Sequence, residues 1–121
     1  MYSNNLGASM YSQEQINQIV AEAKAEAFRA ADEYFKKELG GRDQFSCGFA
    51  WTDIFGIKGN TKIGRYLKAA GLRKSYTGSL QIWNPANYGC QNIDTLEAGA
   101  EAAARVFEKY GFRAYAGSRL D

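Results

Sequence analysis

The chain of 121 residues contains no histidine. The side chain that most often serves as a general base near neutral pH is missing, and Ser-His-Asp and Cys-His arrangements are ruled out. Cysteine is nearly as scarce: Cys47 and Cys90 lie in dissimilar surroundings, with no CxxC spacing and no histidine to complete a zinc site. They read as small buried apolar residues of a reducing compartment. Neither a Walker lysine motif nor GxGxxG occurs, so the usual footholds of nucleotide-cofactor chemistry are absent. A paired-carboxylate mechanism needs two acids in one cleft. Only Asp43, Asp53, Asp94 and Glu97 lie near expected loops, and the last two are assigned to a helix cap. The expectation is a protein that is not an enzyme, with no metal and no cofactor.

Long apolar runs are missing as well. None approaches the roughly 20 residues that span a bilayer, and the first residues, MYSNNLGASMYS, lack the charged start and apolar stretch of a secretory signal. No membrane partner and a cytoplasmic location are expected. Carboxylates are absent from the whole stretch between Asp53 and Asp94, which carries Lys58, Lys62, Arg65, Lys68, Arg73 and Lys74. The formal net charge of +2 therefore hides an uneven distribution. Cations without nearby counter-charge raise the local potential and attract phosphates; the other reading is a solvated basic face balanced by acids folded in from elsewhere.

What is present fits one domain over 1–121, since a chain of this length with 45% hydrophobic residues can bury about two-thirds of its unfolded surface. A polar stretch, expected to be flexible, runs to Tyr11. Ser12-Gln13-Glu14-Gln15 then has the form of a capping box. Apolar residues at Ile16, Ile19, Val20, Ala23, Ala27, Ala31, Tyr34 and Leu39 follow the three-four spacing of one helical face, up to Gly40-Gly41. A helix over 12–39 would span roughly 40 Å at 1.5 Å per residue. That exceeds what a small domain covers, and predicts that part of the stripe is buried by self-association.

The remainder alternates strand and helix. Phe45, Cys47, Phe49 and Trp51 alternate with Ser46, Gly48, Ala50 and Thr52, as a half-buried strand requires. A helix follows, capped by Asn60 or Thr61 and running through Ala70, then a second strand from Leu72 to near Trp83. Asp94-Thr-Leu-Glu97 opens a helix to Tyr110, and a last strand covers Phe112 to Ala116. The fold class is α+β: a long N-terminal helix and a small sheet in β-α-β-α-β order with two further helices. Arg73 and Arg113 each stand two residues past a glycine at a helix-to-strand junction; they either converge on one ligand or reflect ordinary junction chemistry.

Two segments carry binding chemistry. Gly56-Ile-Lys-Gly-Asn-Thr-Lys-Ile-Gly64 sets glycines, Lys58 and Asn60 ahead of a helix N-terminus, where free amides favour phosphate; a plain turn is the alternative. Trp83 and Asn84, followed by Asn87, Tyr88, Gln91 and Asn92, form a carboxamide-rich loop beside an aromatic. An aromatic plane stacks on a base while an amide reads its edge; as a core anchor Trp83 would do neither.

The runs Gly56-Ile-Lys-Gly-Asn-Thr-Lys-Ile-Gly-Arg65, Gln81-Ile-Trp-Asn-Pro85, Gln91-Asn-Ile-Asp94 and Glu97-Ala-Gly-Ala-Glu-Ala-Ala-Ala104 give the chain a pattern that resembles the first-described anti-Thoeris family of phage proteins. The resemblance implies a cytoplasmic sponge in the bacterial host. It would sequester, without cleaving, the cyclic ADP-ribose isomer that Thoeris defence makes as an alarm signal; some members resemble binders of cyclic oligonucleotides. It also implies a homo-oligomer, a dimer or a hexamer built from dimers, with ligand near subunit boundaries. Such a ligand offers a base, ribose hydroxyls and a pyrophosphate. The matching candidates here are Trp83 or Phe55 for stacking, Asn92 and Asn60 for amide contacts, and Lys58, Arg65, Arg113 and Arg119 for charge. Ser118 to Asp121 either closes over a pocket or frays. The other function classes are a nucleic-acid-binding protein using the acid-free segment as a phosphate track, and a structural phage protein held together by the long helix.

Overall fold

A capping box starts the first helix: Ser12 accepts from the Gln15 amide while the Gln15 side chain accepts from the Ser12 amide, in a computed structural model that describes residues 10–121. Helix α1, Gln13–Glu38, ends at Leu39, where Gly40 and Gly41 take left-handed φ values of 63° and 80°. The expected flexible stretch lies outside the described residues up to position 9. At its end, Tyr11 is held by its hydroxyl, which donates to the Tyr110 carbonyl at 2.8 Å.

Strand β1, Gly48–Phe55, leads to α2, Lys62–Ala69, then β2, Arg73–Lys74, and β3, Leu80–Trp83. Helix α3, Ile93–Lys109, and strand β4, Arg113–Leu120, complete the chain. The sheet order is β2-β3-β1-β4 with every neighbouring pair antiparallel. The fold is α+β with a long N-terminal helix, a four-stranded antiparallel sheet and three helices among the described residues. The expected β-α-β-α-β order is corrected, because the segment from Leu72 to Trp83 is a hairpin and not one strand. Gly78, at φ 98°, turns the chain, and the Ser75 amide donates to the Ser79 carbonyl at 2.7 Å. No helix among the described residues is long and apolar enough to cross a membrane.

All three helices lie over one face of the sheet. Ala23, Ala27 and Ala31 of α1 meet Ala103 and Ala104 of α3 in the core, and Gly99 permits the close approach: a Cβ there would come within 3.1 Å of the Ala27 carbonyl oxygen. Ile16, Ile19, Val20, Ala23, Ala27 and Ala31 are all buried inside this one chain. The α1 stripe thus finds its cover at home, against α3 and the sheet, which removes the premise that it must be covered by self-association. Helix α3 packs along part of α1 and supplies that cover.

The strand period of two holds in β1, but the inward set is the opposite of the aromatic one. Gly48, Ala50, Thr52 and Ile54 are buried, while Phe49, Trp51, Asp53 and Phe55 point away from the helices. Small residues face inward because α3 lies close to the strand: Thr52 donates its hydroxyl to the Ala100 carbonyl at 2.8 Å. Phe45 is not in the strand at all; its φ of 67° is left-handed, and its ring is exposed. Cys47 is exposed, contrary to expectation, and Cys90 is half-buried.

Candidate functional site

With the helices on one side, the other face of the sheet is left open by every described element. Its side chains form a grid fixed by register. Along β1 stand Phe49, Trp51, Asp53 and Phe55; opposite them on β4 are Arg119, Gly117, Tyr115 and Arg113. On the other flank Trp51 pairs with Trp83 and Asp53 with Gln81, which in turn pairs with Arg73. An antiparallel sheet usually gives its solvated face to polar residues. Here Phe49 (37% exposed), Trp83 (47%) and Tyr115 (55%) cluster on it instead, and such patches mark interaction surfaces.

The rings are organised as a platform. The Trp51 and Trp83 centroids lie 4.9 Å apart with planes inclined at 30°, and Phe49 meets Trp83 edge-on at 6.0 Å. At the far end Phe55 and Tyr115 approach at 5.7 Å. The guanidinium of Arg119 sits over the Phe49 ring at 5.0 Å and that of Arg113 over Phe55 at 5.8 Å. Neither arginine has an ion-pair partner among the described residues. A guanidinium thereby sits over a ring at each end of the aromatic surface, with N–H donors that no carboxylate among the described residues takes.

Asp53 locks the two indoles. It accepts from the Ser79 hydroxyl (2.8 Å) and Gln81 Nε2 (2.9 Å) on one oxygen and from Trp51 Nε1 (3.0 Å) on the other. Gln81 Oε1 in turn accepts from Trp83 Nε1 at 2.6 Å. A carboxylate with three donors is committed to positioning and has little capacity left for proton abstraction. Sequence reasoning placed Asp53 at a loop; it stands in mid-strand and is the centre of the site. Gly117 was also missed: a Cβ there would lie 2.5 Å from Trp51 Nε1, so only glycine lets the indole lie flat across β4. The detectable signal was the Trp51-Thr52-Asp53 spacing, which puts an indole and a carboxylate on one face of any strand.

Of the expected site residues, Phe55, Trp83, Arg113 and Arg119 share this face. Lys58, Asn60 and Arg65 are exposed on the loop and helix that follow β1 and are not part of the grid. The glycine-bearing loop is closed on itself. Thr61, and not Asn60, caps α2 by accepting from the Gly64 amide, the Thr61 hydroxyl donates to the Lys58 carbonyl, and Arg65 Nη1 donates to the Asn60 carbonyl at 2.7 Å. Of the helix-start amides expected to meet phosphate, that of Gly64 is already taken.

Asn92 is a correction: it is fully buried and serves as the N-cap of α3, a role expected of Asp94. Its oxygen accepts from the Thr95 amide and hydroxyl, and its nitrogen donates to the Gln44 carbonyl, so both polar atoms are engaged inside the fold. Ser118 to Leu120 continue β4, and neither close over a pocket nor fray. Among the described residues no three His, Cys, Asp or Glu side chains converge in a way that would hold a metal ion. In comparisons with family models, curated proteins and solved structures, the chain matches none.

Proposed function

We propose that this chain is a binding protein for a small nucleotide signal, a sponge of the kind the anti-Thoeris resemblance implies. It holds a cyclic ADP-ribose isomer, or a related cyclic oligonucleotide, without cleaving it in the bacterial cytoplasm. The observation that carries this reading is the outward platform of Trp51 and Trp83, with Arg119 and Arg113 laid over the flanking Phe49 and Phe55. A base stacks on the indoles, and a pyrophosphate takes the planar N–H forks. Asp53, bound by three donors, orients the surface and attacks nothing. An open platform covers one side of a ligand; a second copy of the chain supplies the other, which fits the dimer or hexamer of the resemblance.

Calorimetry with cyclic ADP-ribose isomers tests the reading directly, followed by denaturation and mass spectrometry of what is released. The ligand is expected back intact. Time-dependent hydrolysis by pure protein, or no binding at all, overturns it.

A second reading has a specific support. None of Lys58, Lys62, Arg65, Lys68, Arg73 and Lys74 forms an ion pair among the described residues, and a four-stranded sheet bearing exposed aromatics also suits single-stranded nucleic acid. Salt separates the two. Binding along several phosphates falls steeply with ionic strength, and binding of one pyrophosphate does not.

A further inference from the structure

The two edges of the sheet are built differently. Strand β2 forms one edge with only Arg73 and Lys74, and a short, charged edge strand resists pairing with another chain. Strand β4 forms the other edge with the eight residues Arg113–Leu120. It contains neither proline nor lysine, and its register with β1 is unbroken from Arg113 to Leu120. The devices that blunt an edge are missing where the edge is longest.

One bond fixes which backbone groups this edge presents. The Asp121 amide donates to the Cys47 carbonyl at 3.1 Å, and bonded residues alternate along an antiparallel strand. Tyr115, Gly117 and Arg119 therefore turn their N–H and C=O groups toward β1. Those of Ala114, Ala116, Ser118 and Leu120 point away from the sheet, and none has a hydrogen-bond partner among the described residues.

We infer that β4 pairs antiparallel with β4 of a second copy of this chain, about a two-fold axis at Gly117, joining the two sheets into one. Charge selects this register. Centred on Gly117, the pairing sets Arg113 opposite the second copy's Asp121 and Tyr115 opposite the second copy's Arg119, and it uses the whole strand. Centred on Ala116 it would set Arg113 opposite the second copy's Arg119, and like charges directly opposed are destabilising. Neither Arg113 nor Asp121 has an ion-pair partner within its own chain among the described residues. Both facing pairs fall at positions between the hydrogen-bonded ones, where side chains come closest. On the helix side Leu120, 63% exposed, comes to lie opposite the second copy's Ala114. The two aromatic faces point the same way, so this contact leaves the open face uncovered and does not depend on the nucleotide reading.

Light scattering of the full chain without ligand is expected to show a dimer at micromolar concentration. Arg113→Glu or Asp121→Lys alone places like charges opposite each other and should weaken that dimer about tenfold. The two changes together should restore it. Ala116→Pro removes an outward N–H at a position where an edge strand tolerates proline, and should give a monomer with unchanged circular dichroism. Hydrogen exchange at the Ser118 amide should be slow in the unaltered dimer and fast in Ala116→Pro. A monomer without any change, single charge reversals that the double variant fails to rescue, or a dimer that survives Ala116→Pro with a fast-exchanging Ser118 amide overturns the pairing and leaves the nucleotide reading standing. A protein that pairs in this way and binds no nucleotide overturns that reading alone.

Discussion

The two faces of this molecule have opposite electrostatic habits. On the outside of α1 and α3 a group of charges closes into ion pairs. Arg29 meets Glu26 and Glu33, Lys37 meets Glu33, Lys36 meets Asp32, and Lys109 meets Glu22, whose other carboxylate oxygen accepts from the Tyr110 hydroxyl. The open face of the sheet carries arginines with no carboxylate partner, and its central acid is consumed by neutral donors. Surface ion pairs contribute little to stability, so this part of the helical face is a solvated exterior with its charges balanced locally. The sheet face keeps arginines and aromatic area that no carboxylate among the described residues pairs with.

The sharpest way to break this contrast is to put a charge on each side. Ile19 is 3% exposed and lies in the core, so Ile19→Asp should cost about 4 kcal/mol or more and unfold the chain instead of separating subunits. Denaturant titration reads this. The assembly test belongs on the open face, where Tyr115→Glu should shift the species seen by light scattering with the melt preserved. A protein that is monomeric at micromolar concentration without the change refutes the paired-platform reading.

Gly117→Ala should disturb the aromatic face directly. It drives the Trp51 ring off β4 and breaks its bond to Asp53, for a loss on the order of 1–3 kcal/mol in ligand affinity. The displaced ring can move toward solvent, so about 1 kcal/mol of stability is the expected cost. Unchanged affinity would show that the flat indole is incidental. Trp83→Ala should lose affinity over the same range, and Trp83→Phe less, with little change in melting because the ring is already half exposed. Arg119→Lys keeps the charge but removes the planar fork over Phe49; about 1 kcal/mol of affinity is at stake by calorimetry.

The smallest effect lies on the helical side and concerns pH. Hydrogen bonds from Lys109 and Tyr110 hold the Glu22 carboxyl below its ordinary value of 4.5. Those from Tyr88 and Lys36 do the same for Asp32, whose ordinary value is 3.8. For an acid whose folded pKa is depressed, the stabilisation is present above the unfolded value and is lost as pH falls through the folded one. Melting temperature should therefore drop below about pH 4.5, and Glu22→Gln should flatten that limb. At the alkaline end, burial and then Asp32 push the Tyr88 hydroxyl up to about 12 from 10.0. Its share of stability is complete below pH 10 and fades as pH rises toward 12. An identical acid limb in Glu22→Gln would exclude the Glu22 cluster as its cause.

Much of the scaffold was legible because local signals agree with the tertiary result. The Ser12 capping box, the three-four stripe from Ile16 to Ala31, the Gly40-Gly41 stop and the Thr61 cap are interactions among residues a few positions apart. The hairpin between Leu72 and Trp83 was missed because the Thr77-Gly78 turn was read as continuous strand. Asn92 was read as a ligand group because a cap and a binding amide look alike until the neighbours of the side chain are known.

By itself, then, the sequence determined the long helix, the α+β class and the presence of arginines and aromatics in alternating strands. Which side of the sheet those aromatics occupy was a tertiary decision. A period of two divides a strand into two sets without saying which set is buried. The choice followed from the alanine-rich α3, which packs closely over β1 and takes Gly48, Ala50, Thr52 and Ile54 beneath the helices, and so turned Phe49, Trp51 and Phe55 outward.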